Sequence, residues 1–352
     1  MKHMIIFVHG VGNHTLESFK KECIVTLDWV ASQYPNVPKI SDAFDIRSIC
    51  YDTVFDKVLA NARKSTANLS EAQTSVLKTL KDYQDVITED TFWTENALDA
   101  IVYKTFLADA VDSEAAEQFY TLYNETVKDG NVLPCHVICH SLGTSVMHNV
   151  FQRLYATRDL QTGQYKYLDP IKNSLASITM LANVSRLFPR PINPYHSIVK
   201  PGPDGICNTF IDARHTLDPI PTVRPFKPQG YWDKYALNGF KTIEFADVID
   251  LHALDQSIIS ISEPKLNVHA VQHYLTNPDV HQELLKGFFG SSKRPSPQKA
   301  AEYRTKWKGE SIESAARALE NRLERLDLQD GLEDENVDLT ALLKKLKRFF
   351  DN

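Results

Sequence analysis

The chain has 352 residues, 43% hydrophobic and 24% charged, with a formal net charge of −6. This composition fits a globular protein with a sizeable core, and the acidic balance argues against a general nucleic-acid binder, which carries a basic footprint. No run approaches the ~18 consecutive apolar residues of a membrane span. The opening MKHMIIFVHG has neither the longer apolar core nor the small-residue cleavage site of a secretory signal, so a cytoplasmic location is expected. Five cysteines, Cys23, Cys50, Cys135, Cys139 and Cys207, fit reduced thiols in such a compartment. Cys135, His136, Cys139 and His140 are residue types that can ligate zinc. That run reads as a strand, whose side chains alternate between faces, so no metal is expected.

In chain order, Met4–His9 is a short apolar run closed by Gly10 and reads as a buried strand. Leu16–Tyr34 has apolar residues at helical spacing, and Phe44–Cys50 reads as a second strand. From Tyr51 to Asp129 the pattern is almost wholly helical, including Glu71–Tyr83 and Ser113–Lys128, the latter stopped by Gly130. Val132–Cys139 reads as a third strand and Leu142–Tyr155 as the helix after it. Further strands are expected at Ser177–Ala182 and Ile206–Ile211. Strands alternating with helices predict a mostly parallel sheet covered on both faces.

Two stretches, Phe188–Pro203 and Pro219–Trp232, are rich in proline and aromatics. They read either as rigid long loops or as walls of an apolar cleft, since loops at strand ends carry function in such sheets. Past Gly290 the composition changes to a linker, followed by a tail with two apolar stripes, in Glu310–Asp327 and Leu339–Phe350. The expected organisation is a domain over 1–290, with a helical insertion at about 61–128, and a helical C-terminal tail over 291–352.

The stretch that carries chemistry is VICHSLGTSV. It sets Ser141 where a strand turns sharply into a helix. A serine hydroxyl is a weak nucleophile and needs a base within reach and donors for the oxyanion. A tight strand-to-helix turn lifts the hydroxyl above the sheet and offers the next backbone N–H, here that of Leu142. Such turns crowd their flanks; Gly143 fits the G-x-S-x-G frame and Cys139 departs from it. His9-Gly10-Val11-Gly12 follows the first strand and suits a loop supplying a second oxyanion N–H, from Val11. Its alternative is a simple turn. The stretch lacks the Lys-Ser/Thr of a P-loop.

These two segments resemble the α/β-hydrolase superfamily, in particular its lipase- and esterase-like serine hydrolases, over about residues 4–282. The resemblance implies an α/β-hydrolase fold and the chain order nucleophile, acid, histidine. Asp218-Pro219-Ile220-Pro221 is similar to the segments in which such lipases carry their acid; Asp212 and Asp250 are rivals. NVHAVQHYL is similar to the family's histidine segment, with Ala270 where serine is usual, which makes His269 the base and His273, one helical turn on, its rival. The chain starts at what is normally the third strand of the superfamily's sheet, so a short sheet is expected. The implied activity is cleavage of a carboxylic ester, lipid or other apolar acyl ester, through a Ser141–His269–Asp218 triad without metal or organic cofactor. The alternative is a non-catalytic or partner-binding protein on a hydrolase fold, using the helical insertion or tail for a protein partner or self-association.

Overall fold

A computed structural model describes residues 2–10, 16–51, 54, 107–128, 131–188, 192–218, 221–222, 224–249, 268–290 and 293–311. The expected helix Glu71–Tyr83, most of the insertion, Val11, Asp250 and the tail beyond 311 lie outside them.

The architecture is α/β. Six parallel strands form one sheet: β1 (His3–Val8), β2 (Phe44–Ile49), β3 (Cys135–His140), β4 (Leu175–Leu181), β5 (Cys207–His215) and β6 (Phe240–Phe245), in the order β2-β1-β3-β4-β5-β6. The described helices are α1 (Leu16–Ser32), α2 (Ile40–Ala43), α3 (Ala108–Asn124), α4 (Leu142–Ala156), α5 (Lys234–Gly239), α6 (Val271–Thr276), α7 (Pro278–Phe289) and α8 (297–311).

The strands form where apolar, β-branched runs allow burial on both sides; every residue of β3 is buried. Alternate side chains then feed two cores. On one face Met4, Ile6 and Val8 join Val137 and Cys139 beneath α3 and α4, with Phe119, Val146 and Phe151 among the filling. On the other, Ile5, Phe7 and Ile138 meet Phe19, Cys23 and Leu27 of α1 and Tyr274, Leu275 and Leu284 of α6 and α7. Each fully buried large apolar side chain contributes about 1.5–3 kcal/mol.

Several elements differ from the sequence reading. The helix expected over Ser113–Lys128 starts earlier, at Ala108, and ends at Asn124; Val127–Lys128 instead pairs antiparallel with Asn131–Val132. The third strand starts at Cys135, because Val132 is taken by that small ladder. β6 (FKTIEF) is an additional edge strand, and α8 occupies the stretch read as linker. Tyr303 and Trp307, four apart on α8, are buried in the α1–α6–α7 core, and Arg304 pairs with Asp279 of α7.

The aromatics of the two proline-rich loops also serve packing. Tyr195, Phe226 and Trp232 are buried beside Phe210 and Phe240, and the Trp232 indole N–H donates to the Tyr195 carbonyl at 3.2 Å. These side chains fill the core under the loops.

Candidate active site

The strand order positions the site. β1 lies between β2 and β3, and the helices that follow β1 and β3 cover opposite faces: α1 one core, α4 the other. The carboxyl ends of β1 and β3 therefore meet at a switch point of the sheet, the place where open α/β sheets bind ligands.

His9 and Gly10 end β1 there, and Ser141 ends β3. Ser141 has φ 52° and ψ −127°, a left-handed conformation costly for a residue with a side chain. The turn is held on both sides: Ser141 N–H donates to Leu181 O at 3.0 Å, while the Thr144 N–H and hydroxyl donate to Ser141 O at 2.9 and 2.6 Å. Ser141 occupies the N-cap of α4, where a serine normally bonds the first helical N–H groups, yet its hydroxyl makes no such cap. It donates instead to His269 Nε2 at 2.9 Å.

Two glycines make room for this turn. A Cβ on Gly10 would lie 2.6 Å from the Ser141 Cβ, and one on Gly143 would lie 2.3 Å from the His9 carbonyl oxygen. Cys139, at the flank where the motif has glycine, is fully buried in the core on the α4 side, a setting that accepts a small side chain.

His269 directly precedes the N-cap of α6, so it and His273 do not share a helix face. Its Nδ1–H donates to Asp218 Oδ2 at 2.6 Å; the carboxylate can only accept, which fixes the tautomer and leaves Nε2 to accept from Ser141. Asp218 sits three residues past β5 in a turn closed by its own N–H to His215 O at 3.1 Å. Ser141, His269 and Asp218 are 5%, 4% and 0% exposed, so water does little to loosen the chain of hydrogen bonds. Leu142 opens α4, where the first N–H groups have no intrahelical partner and the helix dipole favours negative charge.

The rivals have other partners. Asp212 accepts from Asn183 Nδ2 at 2.7 Å, and its pKa is pushed up to about 7 by burial, opposed by that hydrogen bond and by Arg214. His273 donates through Nε2 to Asp247 O at 2.8 Å, and burial holds its pKa down at about 3. His9 packs flat on Tyr51, with centroids 4.4 Å apart, and accepts the Tyr51 N–H. The cysteine–histidine run is likewise spoken for: Cys135 and Cys139 are core, and His136 Nδ1 bonds the Ser177 hydroxyl at 2.8 Å.

Two supporting residues were missed in the sequence. The His140 Nε2–H donates to the His269 carbonyl at 2.7 Å, bracing the histidine's backbone. Tyr274 donates its hydroxyl to Asp218 Oδ2 at 2.9 Å. The His140 contact spans 129 positions and the Tyr274 contact 56, so neither role could be read locally, although Tyr274 lies within the NVHAVQHYL segment that resembles the family's histidine segment.

The site thus defines a class: an α/β sheet carrying a buried Ser–His–Asp hydrogen-bond chain at its carboxyl edge. No protein-family model matches the chain, and no curated protein matches it. Among the described residues no helix is long and apolar enough to cross a membrane.

Proposed function

We propose that this protein is a serine hydrolase of the α/β-hydrolase type that cleaves carboxylic esters through an acyl-enzyme. The observation that carries the reading is the unbroken chain Asp218–His269–Ser141, assembled from residues up to 128 positions apart. The turn at Ser141 supports it as a nucleophile elbow, and the order β2-β1-β3-β4-β5-β6 suits a superfamily sheet entered at its third strand.

In this mechanism Ser141 Oγ attacks the ester carbonyl carbon while His269 Nε2 takes its proton. Asp218 holds the imidazolium in place and offsets its charge. The Leu142 N–H stabilises the oxyanion; the second donor that the resemblance implies, the Val11 N–H, lies outside the described residues. The C–O bond to the alcohol then breaks, His269 returns its proton to the departing oxygen, and the acyl group stays on Oγ. Water attacks next, again deprotonated by His269, releasing the acid and restoring Ser141. Each proton moves between His269 and Ser141, the departing alcohol or water, so the chemistry calls on no cofactor. An apolar acyl part rests on the family resemblance, because Tyr195, Phe226 and Trp232 are occupied with packing.

Fluorophosphonate labelling of the full chain, with p-nitrophenyl esters of increasing acyl length, tests this. Wild type should label rapidly and turn over esters, and Ser141→Ala should do neither. A folded wild type that neither labels nor hydrolyses any ester of the series would overturn the reading in favour of a partner-binding protein.

A further inference from the structure

One short segment supplies two donors to the same carboxylate oxygen. Asp218 Oδ2 accepts His269 Nδ1–H at 2.6 Å and the Tyr274 hydroxyl at 2.9 Å, and these residues are five apart at the start of α6. The Tyr274 oxygen in turn accepts the His215 N–H at 3.2 Å, from the last residue of β5. That bond occupies a lone pair and leaves the phenolic hydrogen to Asp218. The ring is fully buried, edge-on to Phe245 at 5.3 Å and to His140 at 6.0 Å, so the hydroxyl has little freedom to turn away.

We propose that Tyr274 is a positioning residue of the triad: it fixes the Asp218 carboxylate against the end of β5 and sets how strongly that carboxylate holds the His269 proton. This rests on the reading of Ser141, His269 and Asp218 as catalytic. A donor bonded to a carboxylate stabilises its charged form and lowers its proton affinity. With the Tyr274 hydroxyl in place, the imidazolium is held firmly enough to form but not so firmly that it keeps its proton. Because His269 and Tyr274 belong to one segment, base and brace keep their spacing.

The surrounding ionisable groups give the inference a readable signature. Facing Tyr274 and Asp218 are His269 and His273 from the α6 segment, Asp212 and His215 from β5, and His140 from β3. Burial lowers the pKa of His215 and takes that of His273 to about 3, so both rings favour the neutral form. Burial and the Asp218 charge push the Tyr274 phenol well above its ordinary range, so it stays a donor throughout.

The test uses full-length protein, with the active fraction counted by fluorophosphonate titration. Tyr274→Phe should lower kcat per active site roughly ten- to a hundredfold with KM little changed, the scale of one hydrogen bond to a charged group. The acid limb of its kcat/KM profile should move to higher pH, because the unbraced carboxylate holds the imidazolium proton more tightly. In an Asp218→Asn background the same substitution should have little further effect. If Tyr274→Phe fails to fold, 3-fluorotyrosine at position 274, a stronger donor, should move the limb to lower pH. A tyrosine that only fills the core would lower the active fraction and leave the per-site kcat and the limb unmoved; that result, or an unmoved limb with fluorotyrosine, overturns the proposal. A wild type that does not label fails earlier and takes down the catalytic reading itself.

Discussion

Gly10 lies so close to Ser141 that a Cβ on the glycine would sit 2.6 Å from the serine's Cβ and 3.1 Å from His140 O. No real Cβ tolerates the first distance, so Gly10→Ala must displace the β1 end or the turn at Ser141. The expected result is at least a roughly tenfold loss of labelling rate, about 1.4 kcal/mol in the barrier, in a protein whose far-UV spectrum is unchanged. Normal labelling by Gly10→Ala would mean the turn has more slack than its packing implies.

His140→Ala removes the donor at 2.7 Å that holds the His269 carbonyl and leaves that acceptor in a buried setting. A buried acceptor without a partner costs about 1–3 kcal/mol. The melting temperature should fall, and ester turnover per labelled site should fall with it, since the base loses its backbone brace. Turnover equal to wild type at matched active-site concentration would show that α6 alone holds His269.

Acid should destabilise the protein as pH falls through the ordinary histidine range. Burial lowers the pKa of His136 and His148 to about 4 and of His273 and His281 to about 3, from an ordinary 6.5. Above 6.5 these rings are neutral in both folded and unfolded chains. As pH falls through 6.5 the unfolded chain takes up protons the folded one refuses, so stability drops by about 1.4 kcal/mol per pH unit for each ring. Asp212 works in the opposite sense: raised to about 7, it favours the folded state at low pH and loses that contribution as pH rises toward 7. Burial lowers His215 as well and raises Asp247 as it does Asp212, so five histidines against two carboxylates leave a net loss in acid. Melting temperatures between pH 7.5 and 5 check this, and a flat profile would contradict the neutral, buried histidines.

Trp307→Ala should unfold the protein at lower temperature, with a loss of about 3–5 kcal/mol, because the indole is 2% exposed in the core beneath α1 and α7. Truncation before α8 should cost more, since it also removes Tyr303, whose hydroxyl donates to Thr276 O at 3.1 Å. An unchanged melting temperature in the truncated chain would mean that α8 only rests on the domain.

The inner strands were legible in the sequence because burial on both faces demands unbroken apolar runs such as MIIFV and VIC. β6 was not. It is an edge strand with Lys241 and Glu244 turned to solvent or to ion pairs, so its pattern resembles a surface loop. α8 was hidden by Pro295, Ser296 and Pro297, which read as linker, although Pro297 is the first residue of the helix, where proline's fixed φ is tolerated. Ser141, Asp218 and His269 were named from local segments, and the structure sets His269 within hydrogen-bond reach of both of the others. Val11 falls outside the described residues. Tyr274 and His140 could not be read, because their roles exist only once β3, β5 and α6 have met.

The 128 positions between Ser141 and His269 also order events during synthesis. Translation delivers the serine and its strained turn first, then the acid, and only then the base, its tyrosine brace and the α8 residues that cover α6. A nascent chain halted anywhere before His269 carries a serine with no partner to deprotonate it. On the proposed mechanism, the reactivity of Ser141 therefore depends on a segment translated 128 positions later.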